Sequence, residues 1–358
     1  MKKRFVYTFL LSCVMMAVMV NSLTAQEGRN KRVGSAAATE LLIPVGARDL
    51  AMGGANLATT RGVDAMYWNP AGLARHDGAA EGMFSTMSYL ADINVNYGAV
   101  GINFSGFGMV GFSVKSLDFG DVPLTTNDDP ENTSGRTFSP TFLTIGLTYS
   151  RAFTDAITFG TSLKLISEKM ARVSGSGFAI DLGVQYHNIG GLNGLALGVA
   201  MKNIGPQVKF DGSGLLREGT ATNGSRPEQF YQSKAATFEL PSSVELGLAY
   251  NRKMNDNMSW AVTGTFANNN LGLDGYRGGA ELSYQGDQIG FAARGGMELS
   301  ADAGQDLSGN TIDDSIFGPT FGFGLNYKAP GIALTLDFAY RQTDFFDSNK
   351  MFSVKFGF

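Results

Sequence analysis

From residue 81 to the end of the chain, apolar residues occupy every second position in a succession of runs, each about nine to thirteen residues long. The runs are 81–89, 94–104, 107–117, 140–152, 156–169, 176–188, 194–204, 239–252, 257–268, 275–286, 288–300, 317–328, 331–342 and 350–358. Leu143, Ile145, Leu147 and Tyr149 share one parity, while Thr144, Gly146, Thr148 and Ser150 share the other. Ile332, Leu334, Leu336 and Phe338 alternate in the same way with Ala333, Thr335, Asp337 and Ala339. A period of two is that of a strand with one apolar face, and this length is what a tilted strand needs to cross a bilayer.

A soluble β-sandwich also alternates, so the connections have to decide. Links after even runs are tight: Ser105–Gly106, Phe153–Asp155, Ile189–Asn193, Lys253–Asp256, Asp287 and Ala329–Pro330. The longest links follow odd runs: Asp118–Ser139, Gly205–Phe238 and Ala301–Ile316. Short periplasmic turns and long extracellular loops sort this way in outer-membrane barrels, whereas a sandwich has no reason to sort them. Tyr149, Tyr186, Tyr250, Tyr284 and Tyr327 close successive even runs, on the apolar parity that an interfacial girdle requires. The last run carries Phe352, Val354, Phe356 and Phe358 on that same parity, which resembles the terminal signal read by the barrel-assembly machinery.

An open sheet edge in hydrocarbon would leave backbone groups unpaired at several kcal/mol each, so a spanning sheet must close. The expectation is an all-β protein, an antiparallel transmembrane β-barrel of about fourteen strands in the outer membrane. The mean hydropathy of −0.02 hides this, because outward and inward residues cancel. Residues 1–25 read as a signal peptide: Lys2, Lys3 and Arg4 precede the apolar Phe5–Val20, and Ala25 precedes a cut at Gln26. The single cysteine, Cys13, lies within it, so the mature chain is expected to offer neither a disulfide nor a thiol nucleophile. Removing those three cations takes the formal charge from −4 to −7, which argues against a nucleic-acid partner. Residues 26–80 read as a plug-like segment and 81–358 as the barrel.

By parity the lumen is lined with Gly, Ala, Ser and Thr. Lys115, Lys164, Asp181, Lys202, Glu245, Glu281, Arg294, Asp337, Arg341 and Lys355 stand among them. Both signs occur, so cross-strand ion pairs are favoured over a selectivity ring. Gly106-Phe-Gly108-Met-Val-Gly111 matches a dinucleotide fingerprint, but it spans a turn between strands with no helix after it. His76 and His187 are the only histidines, and no metal-ligand spacing surrounds them. The acidic stretches Asn127–Asp129 and Asp302…Asp306…Asp313-Asp314 lack calcium-loop spacing. Neither enzyme chemistry nor a cofactor or metal site is expected.

Residues 34–76 differ in character. They contain Gly46-Ala-Arg48-Asp-Leu-Ala-Met52-Gly53-Gly54-Ala and then Tyr67-Trp68-Asn69-Pro70-Ala71-Gly72-Leu-Ala. These two stretches, with Ser88–Ile93, resemble the PorV/PorQ family of outer-membrane barrels and, more distantly, FadL-like transporters of hydrophobic compounds. Motif-level similarity covers about residues 34–105, and beyond them only the barrel layout matches. Gly53-Gly54 permits close backbone approach, Asn69 and Pro70 can open a helical turn, and Tyr67 and Trp68 supply bulk. The segment is expected at the periplasmic mouth or in the lower lumen.

Two functions follow from the resemblance. The PorV/PorQ pattern implies a binding or scaffold role in type IX secretion. Its partners would be a translocon barrel and cargo bearing C-terminal signal domains, gripped by the long loops 118–139 and 205–238. The FadL-like pattern implies passage of hydrophobic small molecules through a plugged barrel, which calls for an apolar pocket above the plug. The inferred lumen is small and polar, which favours the secretion role.

Overall fold

The computed structural model describes residues 34–219, 229–271, 274–300, 304–305, 311–312 and 316–358. The signal peptide with Cys13, and Asp302, Asp306, Asp313 and Asp314, lie outside the described residues. No helix among the described residues is long and apolar enough to cross a membrane.

Fourteen antiparallel strands close into a barrel. They are β1 (Ala80–Ser88), β2 (Asn94–Phe104), β3 (Gly108–Asp118), β4 (Thr141–Ala152), β5 (Ile157–Met170), β6 (Val173–His187) and β7 (Leu195–Ile204). Then come β8 (Ser243–Lys253), β9 (Met258–Asn269), β10 (Gly275–Gln285), β11 (Ile289–Ser300), β12 (Phe317–Ala329), β13 (Ile332–Thr343) and β14 (Asn349–Gly357). Each pairs with its sequence neighbour, and β1 meets β14 with Phe84 opposite Val354, so no edge is left.

The burial pattern is that of a soluble core turned inside out. Leu147 and Phe323 are 54% and 62% exposed on the outer face, while Thr148 and Asp181 are 1% and 0% exposed inside. Such a wall is stable only with hydrocarbon around it. The protein is accordingly a multi-pass barrel of the outer membrane. At the periplasmic end Tyr284 and Tyr327 point outward and Tyr250 packs edge-on against Trp260, forming the aromatic girdle.

The strand ends differ from expectation by more than one residue in two places. The β5–β6 hairpin turns tightly at Ala171 (φ 46°) and Arg172, so β6 starts at Val173 rather than 176. Its Ser- and Gly-rich opening has no alternation to read. β8 begins at Ser243 rather than 239, because Leu240 turns inward and is buried. The loop before it is also structured. Val208–Asp211 pairs with the start of β6 and with Thr237–Phe238, extending the wall outward.

Residues 34–79 thread the bore as short turns: a 3-10 turn (Thr39–Leu42), α1 (Ala47–Ala51), a second 3-10 turn (Gly62–Asp64), α2 (Ala65–Trp68) and a third (Pro70–Arg75). The segment extends beyond the periplasmic mouth and lower lumen, where it was expected. It begins at the extracellular rim, where Ala36 bridges Glu239 and where Ala37, Ala38 and Leu41 pack on Ile166, Val208 and Leu240. An apolar socket built by the β7–β8 loop holds this end up. The chain then descends to Ala79, which enters β1 beside the carbonyl of Phe358.

Candidate functional site: the plug and the pocket above it

The Asn69-Pro70 turn is built as a cap. Asn69 accepts a bond from Ala71 N–H at 3.2 Å, and Pro70 needs no donor at the first position of the turn. The Asn69 Nδ2 donates to the carbonyls of Leu57 (3.0 Å) and of Val184 in the wall (3.2 Å). Ala71 and Gly72 are fully buried here, and Ser150 of β4 donates to Ala71 O at 2.9 Å. On the wall opposite, a Cβ at Gly183 would collide with Asn69 Oδ1 and Pro70.

The earlier stretch is fixed in the same way. Gly46 takes a φ of 84°, and the next N–H, from Ala47, donates to Ser353 Oγ at 2.9 Å. Arg48 reaches Glu281 at 3.3 Å, and Asp49 accepts from Asn56 (2.7 Å) and Thr60 (2.5 Å). Met52 and Gly53 run against Gly279 and Gly296; a Cβ on Gly53 would lie 2.7 Å from Met297 N. Trp68 covers Gly54 and donates to Val45 O at 3.0 Å. Tyr67 stands edge-on to it at 5.0 Å and donates to Leu41 O. The Tyr67 ring faces the ammonium groups of two wall lysines, Lys202 at 4.5 Å and Lys115 at 5.0 Å.

Nine of the ten inward charges are paired or grip the plug. Lys164 meets Asp181 at 2.5 Å, Lys202 meets Glu245 at 3.6 Å, and Arg294 holds both Glu281 (2.6 Å) and Asp337 (2.7 Å). Lys115 donates to the carbonyls of Glu40 (2.7 Å) and Ile43 (3.1 Å), and Lys355 to Asp64 at 2.6 Å. Arg341 is different. Its guanidinium carbon lies 3.6 Å from the centre of the Phe317 ring, and its Nε and Nη2 have no hydrogen-bond partner among the described residues. Phe352, Phe356 and Phe358 are exposed on the outer wall, with Val354 half-buried on the same face. His187 lies 3.4 Å from Gln185 and His76 3.7 Å from Glu81. No group of three metal-ligand side chains occurs among the described residues.

Near the extracellular rim both carboxylate oxygens of Glu40 lack partners among the described residues, as does one of Glu168. Burial, and then the charge of Glu168, push the Glu40 carboxyl up to about 8.

Above the plug lies a cavity of about 570 Å³. Leu50, Tyr67 and Trp68 form its floor, and Tyr89, Phe119, Phe142 and Phe317 rise around it, with Arg341 in its wall. The expectation of a small, polar lumen holds only in part at this end, where Lys202, Glu245, Arg277 and Glu298 line the cavity together with the rings. Phe142 and Leu117 sit on the inward parity near the strand tips, and Tyr89 and Phe119 in the adjoining links. Reading inward residues as a class hid them; inward aromatics confined to the outer strand ends were the available signal. Below the plug a second cavity, about 910 Å³, opens to the periplasm between Arg48, Asp64, Arg75, Glu81, Arg294 and Lys355.

The fold defines a class: a fourteen-strand β-barrel of the outer membrane, here with its N-terminal segment in the bore and a cavity above that segment. Among solved structures, the chain is similar to the toluene transporter TodX of Pseudomonas putida (14% identity, 88% of this chain and 99% of that one, TM-score 0.55). It is also similar to the toluene transporter TbuX of Ralstonia pickettii (13%, 88% and 98%, TM-score 0.53) and to the monoaromatic hydrocarbon channel CymD (13%, 88% and 97%, TM-score 0.53). At these identities the likeness is one of fold. No protein-family model matches the chain, and no curated protein does.

Proposed function

We propose that the protein takes up hydrophobic small molecules, which bind in the extracellular aromatic pocket and cross the outer membrane past the plug. The observation that carries this reading is the pocket itself, a concave, ring-lined site of ligand size seated on the floor made by Leu50, Tyr67 and Trp68. The barrels of similar fold are named as toluene transporters and a monoaromatic hydrocarbon channel, which supports the same class of cargo. The test is uptake of a hydrophobic compound by cells that express the protein or its Trp68→Ala variant. Uptake that depends on the protein and changes in the variant supports the reading; uptake equal to that of cells lacking the protein defeats it.

A second reading keeps the barrel as a scaffold of type IX secretion, with a translocon barrel and signal-bearing cargo as partners. What favours it is the exposed Phe230 (72%) and Tyr231 in the β7–β8 loop, rings that a protein partner could cover. The GAR…MGGA and YWNPAGLA stretches do not choose between the readings, because their residues are spent on holding the plug. Truncating the loop 205–238 separates the two: loss of cargo display with uptake intact would support the scaffold role.

A further inference from the structure

We infer that the extracellular pocket contains an oxyanion subsite formed by Arg341 and backed by Asn349, and that its ligand is an aromatic acid rather than a neutral hydrocarbon. The inference rests on the reading of this pocket as a ligand site. Arg341 is 5% exposed and lines the cavity. One face of its guanidinium is covered by Phe317, and the Tyr89 ring lies 6.0 Å away. The atoms left without partners among the described residues are Nε and Nη2. These two donors lie on one edge of the guanidinium and form the parallel fork that grips a carboxylate through two bonds.

The neighbouring residue is equally unsatisfied. Asn349 stands opposite Arg341 across β13 and β14, is fully buried, and has neither amide atom hydrogen-bonded among the described residues. Two open donors on a buried cation, beside a buried amide with neither atom bonded, are costly unless something completes them. Two carboxylates of the cavity wall are committed to other cations, while Glu40 faces Glu168 at the rim. Glu298 is held by Arg277 at 2.8 Å and Glu245 by Lys202 at 3.6 Å. An incoming carboxylate would take the fork edge of Arg341, with the Asn349 amide behind that guanidinium and outside the cavity lining. The rings of Tyr89, Phe119, Phe142 and Phe317 would then cover its body, and flat faces and edges favour an aromatic body over a flexible chain.

Equilibrium dialysis of the full-length protein in lipid nanodiscs tests this with naphthalene-2-carboxylate, 2-methylnaphthalene and decanoate. The carboxylate should bind roughly 10- to 100-fold tighter than the hydrocarbon of the same shape, from its charge-assisted hydrogen bonds. Arg341→Gln should erase that difference and leave methylnaphthalene binding unchanged, while Arg341→Lys, a cation without the fork, should keep part of it. Asn349→Leu, with folding checked by heat-modifiable mobility, should weaken the carboxylate alone. Equal binding of the two naphthalenes to the wild type overturns the oxyanion subsite and leaves the hydrophobic pocket standing. Decanoate binding as tightly as the aromatic acid overturns the ligand class. Failure of all three to bind overturns the ligand-site reading itself.

Discussion

Lys355 on the last strand donates to Asp64 of the plug at 2.6 Å, a bond that spans 291 positions of sequence. The same ammonium lies 3.4 Å from Asp337, so one cation serves two buried carboxylates. Lys355→Met should therefore cost about 3–5 kcal/mol, since it strands buried charge. Adding Asp64→Asn should recover part of that loss. Hydrogen exchange over residues 60–75 reads the plug, and heat-modifiable mobility reads the barrel; the plug should loosen first. A double variant as damaged as the sum of the two singles would show that the bond does not couple them.

The plug's backbone touches the wall where the wall has no side chains. A Cβ at Gly296 would overlap Met52, while one at Gly278, on the adjacent strand, meets nothing within 4 Å. Gly296→Val should push the plug aside and raise single-channel conductance in planar bilayers. Gly278→Ala should leave conductance unchanged. Identical traces from both variants would mean that the contact does not hold the plug in place.

Parity also assigns the lipid face, and the filled bore makes inward positions unequal. Leu147→Arg, 54% exposed at the middle of β4, should destabilise the barrel by about 2–4 kcal/mol in a bilayer. Thr335→Arg should be milder, because Thr335 opens on the periplasmic cavity. Thr148→Arg should not be mild, although its parity is inward. Thr148 is 1% exposed and lies 2.7 Å from Ser162 beneath the plug. Urea titrations of refolding into vesicles should rank Thr335→Arg as the least damaging of the three.

The barrel was legible in the sequence because its physics is local. Each strand must present apolar residues to lipid at alternate positions, as Leu143 to Tyr149 do, and that constraint writes itself into every run. The ion pairing of Lys164 with Asp181 was legible in kind, since inward charges of both signs invite pairing, although the partners were not. The path of the plug was not legible. Its end at the rim depends on Ala36 meeting Glu239 and on Leu41 entering a socket with Val208 and Leu240, contacts between segments about 200 residues apart. The pocket was missed for a related reason. Tyr89 and Phe119 lie in links, where no period exists, and only the closed barrel brings them to Phe317 and Arg341. The unpaired fork of Arg341 cannot be read from one-dimensional pattern, because an inward arginine looks the same whether or not a carboxylate faces it.

Glu40 gives the plug's outer end a dependence on pH. Its carboxyl faces that of Glu168, and Lys115, the nearest cation, spends its ammonium on the carbonyls of Glu40 and Ile43. Glu168 also accepts the N–H of Ala38 at 3.2 Å, so the acid pair sits where the plug is fastened to β5. The sign is set by linkage. Glu40 is held up to about 8 when folded and returns to its ordinary value of 4.5 when released, so the folded end binds the extra proton. Its stability is complete below about 4.5, declines as pH rises between the two values, and levels off above about 8. A nitroxide placed at Leu42→Cys, a 39% exposed position beside the pair, reports this end directly. Its mobility should rise as pH passes from about 6 to about 9 in the wild-type background. In Glu40→Gln, where no second charge can form, the spectrum should stay at its low-pH shape throughout. Equal pH dependence in both backgrounds would assign the change to some other group and remove the acid pair as its cause.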